Sequence, residues 1–537
     1  MAVLQTPHAH EMQLSPTSSR RSRWRLALLS MLLSLSIAFN IYFLFTAPPI
    51  DTPNGLFITL WLVSFLPYLA ACILVLVTKP QVGRRKWVEL VLILVGALTL
   101  RAIVLPVFPD LSHDSWRYLW DARVTLHGYS PYVYGPGSPL YASLHDFVYN
   151  NSRFRNVPTI YPPGAQAIYL LSYLIAPSNL LVLKGVFVGF DVITCVALAF
   201  LLQRKGLDMS RCIIYAWCPL PIIEFAIQGH LDALTITFTV LAILCAGASW
   251  RGSRVVTGFL IAMATLTKIY PIILLVVVVR RRDWALLTTC FATIIIAYVP
   301  YLILGHGQIL GFFGAYASEQ TPNAGLTQFV VVWIENQFLL NKAIGSIVIY
   351  ILDAILVGTV SFVILRLRWQ ERISMEAATF IVIGTIYAAS SHIFPWYNVA
   401  FLPWIATQFA PLGVQWKRFS RPRINWRGLK NLRPRWSSLR HPHLHWSGLS
   451  TFNAGSLATL SLWYFTCSAI TAYTISWNTY YQLVYGITLL GLGIAIIIGI
   501  MKNNYTLRSE RRDPRNAFRV KWAVGKIFSF VPGRRGN

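Results

Sequence analysis

Charged side chains are rare in this chain, and five polar groups interrupt or border its apolar stretches. The first is Asp110-Leu-Ser-His-Asp114-Ser-Trp-Arg117-Tyr-Leu-Trp-Asp121-Ala-Arg123. Its carboxylates can take a proton from a hydroxyl while its guanidiniums clamp an anion; a salt-bridged loop helix is the plainer reading. The second, Thr159-Ile-Tyr161-Pro162-Pro163, starts a helix whose first N–H groups can meet a phosphate. The third runs from Trp217-Cys-Pro219-Leu through Glu224 to Gly229-His230-Leu-Asp232. Asp232 can cap the next helix, and His230 beside a carboxylate can titrate near neutrality or bind phosphate. The fourth is Lys268-Ile-Tyr270-Pro271, where a lysine between two half-length apolar runs can hold a phosphate or simply snorkel. The fifth is His392-Ile-Phe-Pro395-Trp396-Tyr397. An interfacial aromatic belt explains Trp396 and Tyr397 but not His392. Arg101, Lys184 and Asp191 stand alone in apolar sequence, where mutual pairing competes with catalysis as the explanation.

The elements that must carry these groups are membrane helices. Of 537 residues, 55% are hydrophobic and only 12% charged, against about 25% charged in soluble domains. Such a chain cannot cover a water-facing surface and needs lipid as solvent. Apolar stretches near 26–46, 55–78, 87–107, 163–176, 179–202, 212–228, 232–249, 255–267, 270–279, 285–304, 341–366, 374–391, 396–412, 455–475 and 480–500 predict about twelve to fourteen transmembrane helices. The runs 163–176, 255–267 and 270–279 are short enough to be half-helices. The run after Arg25 reads as a retained helix, because Pro48 occupies the place where signal cleavage needs small residues.

The net charge of +27 is concentrated in clusters between apolar runs, at Arg20–Arg25, Lys79–Lys86, Arg280–Arg282, Arg366–Arg372, Lys417–Arg440 and Lys502–Arg535. That scatter follows the positive-inside rule and argues against a nucleic-acid footprint. It puts the loop 108–160, with short surface helices at Ser115–Leu126 and Leu140–Val148, outside the cytoplasm together with His230 and His392. One mismatch stands: two apolar runs separate residue 160 from the basic loop Arg204–Arg211, where an odd number of crossings is required. The insert 415–449 carries an imperfect repeat, from Arg421-Pro-Arg-Ile-Asn-Trp-Arg-Gly-Leu429 to His441-Pro-His-Leu-His-Trp-Ser-Gly-Leu449, and no acidic residue. Anionic lipid is its expected contact. His441, His443 and His445 lack a fourth metal ligand, and the seven cysteines form no C-x-x-C pair, so no metal site is expected.

Five polar groups on one face suggest a pocket for an anionic, lipid-linked ligand. Glycosyl transfer from a polyprenyl phosphate fits that asymmetry: a carboxylate base for the acceptor, cations for the departing phosphate. The order His-Asp-x-x-Arg-Tyr-x-Trp-Asp, Gly128-Tyr-Ser-Pro131-Tyr132, Thr-x-Tyr-Pro-Pro, Trp-x-Pro-Leu, Glu, Gly-His-x-Asp, Lys-x-Tyr-Pro and Pro-Trp-Tyr resembles the GT-C mannosyltransferases over about 87–412. Family 87-like bacterial polyprenyl-phosphomannose-dependent α-mannosyltransferases and relatives of the GPI mannosyltransferase catalytic subunit are the most similar. The resemblance implies an inverting enzyme with Asp114 as base and Asp110 as the alternative. It implies a donor site at Arg117, His230, Asp232, Lys268 and His392, supported by Asp121, Tyr161, Glu224, Trp396 and Tyr397.

The expected architecture is therefore an all-α polytopic GT-C fold. A basic N-terminus (1–25) precedes two helices (26–86) and the catalytic module (87–412, outer loop 108–160). A basic insert (413–454), C-terminal helices (455–500) and a basic tail (501–537) complete it. The expected partners are a polyprenyl-phosphate sugar, most readily mannose, a glycan or glycolipid acceptor, and the bilayer of a bacterial plasma membrane with the site outside. The residues name no cofactor, and a divalent cation stays open. A transporter or flippase of lipid-linked sugars is the competing class; it should show repeated halves with midplane charges, and no such repeat is visible. A non-catalytic scaffold subunit is a third, and it would need no outer carboxylates.

Overall fold

The computed structural model describes residues 16–46, 56–318, 324–338, 342–409, 454–473 and 475–512. The basic insert with its repeat and three histidines, and the tail beyond 512, lie outside the described residues. The described residues form helices and no strand. In chain order the longer ones are α1 (Pro16–Thr46), α2 (Leu56–Val77), α3 (Arg84–Val104), α4 (Asp114–Leu126), α5 (Pro163–Ile175), α6 (Leu180–Arg204), α7 (Asp232–Ala246), α8 (Ser253–Thr267), α9 (Trp284–Leu304), α10 (Leu326–Phe338), α11 (Lys342–Trp369), α12 (Met375–Ala388), α13 (Ala454–Ser468) and α14 (Gly486–Arg512).

Among the described residues, six helices are long and apolar enough to cross a membrane, or seven if the pair Met209–Ala216 and Pro219–Ile227, bent by 51°, is one span. This is an all-α polytopic membrane protein. The outward faces agree: on α9, Ile295, Ile296 and Ile303 are 66%, 68% and 69% exposed, which only lipid can tolerate. Others of the apolar runs fold as shorter helices. Thus α7 and α8 have 15 residues each, and at 1.5 Å per residue they reach about 22 Å, short of a 30 Å hydrocarbon layer.

The parity mismatch has a structural answer. Helix α5 has 13 residues, and Tyr173 near its end accepts a hydrogen bond from Arg123 of α4 at 3.2 Å. It therefore returns to the level of the loop it left, and the 25-residue α6 makes the crossing.

Polar side chains tie the helices at two opposite ends. At one end Arg25 bonds Glu89 (2.5 Å), Asp208 (2.8 Å), Thr78 and the Lys79 carbonyl. Nearby in chain order, Arg204 and Lys205 meet Glu376, and Arg254 pairs with Asp283. At the other end lie the start of α4, the turn 228–232, the end of α8 and the segment 390–397. Between the two ends, fully buried Arg101 pairs with Asp191. Arg101 also donates to the Ala97 and Ala216 carbonyls, while Tyr215 donates to Asp191 at 2.5 Å. Lys184 donates to the Val107 carbonyl at 2.7 Å. Arg101 and Asp191 are thus a pair, and Lys184 joins neither.

Candidate active site

A cavity of about 1200 Å³ opens where helix ends and breaks converge. Its position follows from chain chemistry, because its polar wall segments are places where the sequence starts or stops a helix. Asp114 opens α4 directly after His113, whose backbone is neither helical nor extended (φ −99°, ψ 12°). Lys268 ends α8 in an extended conformation (φ −145°, ψ 141°), with Pro271 following. Pro395 starts the short helical turn Pro395–Phe401, which brings Trp396 and Tyr397 to the wall.

Gly229 sets the closest approach behind that wall. Its φ is +70°, and a Cβ there would lie 2.9 Å from Lys184 Cγ and 3.2 Å from Ser115 Cβ. Only glycine satisfies both demands, and it lets the 228–232 turn sit against the first turn of α4.

Lys268 and Asp232 form the charged centre. The ammonium donates to Asp232 Oδ1 at 2.6 Å and lies 3.6 Å from the centre of the Tyr397 ring. Asp114 lines the same cavity with its side chain 18% exposed. Burial pushes its carboxyl up to about 6, Lys268 and Arg153 pull it back down, and Asp232 adds to the rise. That leaves a carboxylate that is ionised at neutral pH yet more basic than usual, the property a general base requires.

The sequence-predicted residues divide cleanly. Asp114, Arg117, Tyr161, Asp232, Lys268 and His392 line the cavity, as do Trp396 and Tyr397. Arg117 is largely engaged: it donates to Asp121 (2.8 Å) and to the Phe154 and Val157 carbonyls. Asp121 also accepts from Gln166 at 3.1 Å and is buried off the cavity, so this pair holds the outer loop against α5. Asp110 is exposed and lies outside the lining. His230 and Glu224 are fully buried behind the wall and do not line it. His392 stacks on Tyr316 at 4.1 Å, and Tyr316 lies 3.2 Å from Tyr397, hydroxyl to hydroxyl.

Two contributors escaped the sequence reading. Arg153 is an exposed cation on the cavity wall with no ion pair among the described residues. Its surroundings, Asn151-Ser-Arg-Phe-Arg155, are mostly polar, so nothing singled it out. Tyr473 lines the cavity from beyond residue 412 and hydrogen-bonds Glu224 at 3.3 Å. Its polar tip at the end of an apolar run was the available signal.

Part of the wall is apolar, with Ile349, Ala354 and Val357 contributed by α11. Among the described residues no three His, Cys, Asp or Glu side chains gather to hold a metal ion. The site therefore combines a raised carboxylate, an ammonium fixed by a second carboxylate, an unpaired guanidinium and an apolar wall.

Residues 159–391 match the family model of glycosyltransferase family 87. The match marks this protein as a glycosyltransferase. It agrees with the GT-C-like, family 87-like resemblance of the motifs. No curated protein and no solved structure matches the chain significantly. The matched segment holds Asp232 and Lys268, whereas Asp114 and Arg153 precede it and His392, Trp396, Tyr397 and Tyr473 follow it. The glycosyltransferase thus completes its cavity with residues from both sides of the matched region.

Proposed function

We propose that this glycosyltransferase moves a hexose, mannose in the first instance, from a polyprenyl-phosphate donor to a glycan or glycolipid acceptor, with inversion. The observation that carries the reading is a single cavity lined both by the raised carboxylate of Asp114 and by the Lys268–Asp232 pair, with an apolar wall beside them.

Asp114 takes the proton from the acceptor hydroxyl as that oxygen bonds to the sugar C1. The C1–O bond to phosphate breaks on the opposite face, and the phosphate leaves with the bonding pair. A polyprenyl phosphate departs as an anion, so it needs nearby positive charge more than a strong acid. Lys268, with one of its three donors held by Asp232, and Arg153 supply that charge. The apolar α11 residues suit the first units of the prenyl chain. Asp110, exposed and off the cavity, is not part of this mechanism.

The basic clusters around Arg25, Arg204, Arg254 and Arg280 lie at helix ends opposite the cavity, which under the positive-inside rule supports an extracytoplasmic site in a bacterial plasma membrane. The test is to offer purified protein a panel of radiolabelled polyprenyl-phosphate sugars with membrane glycolipids as acceptors. Transfer from the mannosyl donor in wild type, and its loss in Asp114→Asn protein of normal yield and stability, is the expected result. Transfer by the variant at the wild-type rate removes Asp114 from the base role, and no transfer from any lipid-linked donor removes the donor class.

A further inference from the structure

His230 was expected to bind donor phosphate, but it lies fully buried behind Asp114 and faces a carboxylate at each end. Its Nδ1 is 4.0 Å from Asp114 Oδ2 and its Nε2 is 3.4 Å from Glu224 Oε2. Neither ring nitrogen has a hydrogen-bond partner at ordinary distance. The ring is clamped flat on Trp396, with centroids 3.8 Å apart and planes 15° from parallel. Glu224 lies in the π-helical turn Ile222–Ile227, which rotates it inward, and both its oxygens accept from the Tyr473 hydroxyl at 3.3 Å. No cation pairs with Glu224 among the described residues other than the imidazole itself.

We infer that Glu224 is a positioning residue for catalysis: through His230 it keeps an N–H directed at the Asp114 carboxylate, with Tyr473 holding Glu224 in place. This rests on the reading of Asp114 as base. An imidazole between two carboxyl groups satisfies all three when the trio holds two protons and one net negative charge. The second proton can sit on Nε2 or on Glu224, and in both cases Nδ1 carries its proton toward Asp114. Without a group opposite Nε2, the neutral ring is free to take the other tautomer and turn a lone pair on the base. In chain terms, a glutamate in a distorted helix and a tyrosine after residue 412 decide the orientation of a carboxylate in the first outer loop. Hydrogen bonds of this kind are often long in substrate-free sites and tighten when the substrate binds.

The step itself balances on Asp114. The acceptor O–H breaks, the new O–C1 bond forms, the C1–O phosphate bond breaks, and the proton rests on Asp114, still hydrogen-bonded by Nδ1–H. Deprotonation to cavity water resets the trio.

The experiment compares Glu224→Leu, Glu224→Gln and Asp114→Asn, using polyprenyl-phosphate-[³H]mannose and membrane glycolipid acceptors. Leucine has similar volume but cannot address Nε2, whereas the glutamine amide can donate to it. Glu224→Leu should lower kcat by on the order of tenfold to a hundredfold with donor KM little changed, and Glu224→Gln should recover most of that loss. The acid limb of kcat should move to higher pH in the leucine variant alone, because Asp114 loses a donor to its ionised form. Asp114 is also faced by Lys268, Arg153, Asp232, Tyr118, Tyr161 and Tyr473, which are common to both variants.

A leucine variant with kcat within twofold of wild type overturns the inference, as does equal loss in stable leucine and glutamine variants. If Glu224→Leu does not fold, His230→Asn against His230→Gln decides. Asparagine places an amide donor where Nδ1 stood and should keep at least tenfold more kcat than glutamine; equal values overturn the inference. An active Asp114→Asn protein instead breaks the base assignment on which the inference rests, whatever the Glu224 variants do.

Discussion

The protein buries charge in two places and treats it differently. At Arg101 and Asp191 the guanidinium meets the carboxylate and two backbone carbonyls, and a tyrosine hydroxyl takes the remaining carboxylate oxygen. At the cavity, Lys268 and Asp232 are paired, yet Asp232 Oδ2 and both nitrogens of His230 have no hydrogen bond. Both clusters are largely buried, so burial alone does not separate scaffold from chemistry. The difference is the degree of satisfaction: in the first cluster only Arg101 Nη2 lacks a partner, whereas the second leaves both His230 nitrogens and Asp232 Oδ2 unbonded beside an open space. Unmet polar groups in a buried site are costly, and a site for a charged ligand is the natural reason to retain them.

The sharpest way to break this comparison is to exchange effects between the clusters. Asp114→Asn should lower transfer by about a thousandfold or more, the scale of a lost general base, while the melting temperature in detergent stays near wild type. A large fall in melting temperature would mean that Asp114 belongs with the closed cluster. Asp191→Ala should do the reverse. Leaving Arg101 unpaired in the interior costs about 3–5 kcal/mol, read as a lower midpoint of thermal unfolding, with turnover per folded molecule preserved.

Smaller effects refine the open cluster. Lys268→Met should raise donor KM by roughly tenfold or more, since under the proposed mechanism it removes a charge that meets the donor phosphate in ground state and transition state alike. The pH profile tests the carboxylate directly. With the Asp114 carboxyl at about 6, the base is ionised above that pH and protonated below it. The rate should therefore be level near neutrality and fall as pH drops through 6, approaching tenfold per unit. A profile flat to pH 5 contradicts a raised base. Arg153→Gln should have the least effect, a few-fold rise in donor KM that shrinks at high salt, because an exposed charge is screened.

Much of this division was legible from residue order, for a physical reason. In an apolar chain a charge stands out, so Asp114, Asp232, Lys268 and His392 were visible as interruptions, and all four line the cavity. Arg101 and Asp191 were equally visible, but nothing in spacing told pairing from catalysis until the helices were packed. Arg117 and Asp121 were ambiguous because an i,i+4 pair on a helix has the same composition as a base beside an anion clamp. Arg153 was hidden by its polar neighbours. Tyr473 was hidden by distance, since hydropathy gives the existence of a helix and not which face of it meets a site 249 positions earlier in the chain. Helix lengths were hidden likewise: a run of apolar residues does not reveal where a helix bends, as at Cys218–Pro219, or stops short, as at Ile175.

The guanidinium of Arg25 makes the first helix a structural keystone. Its side chain reaches the end of α2, the start of α3 and the turn after α6. A proteolytic cut just behind this helix, followed by its departure, would strip Glu89 and Asp208 of the Arg25 countercharge. Fusions and purification tags are therefore best placed ahead of α1, with the helix itself left whole.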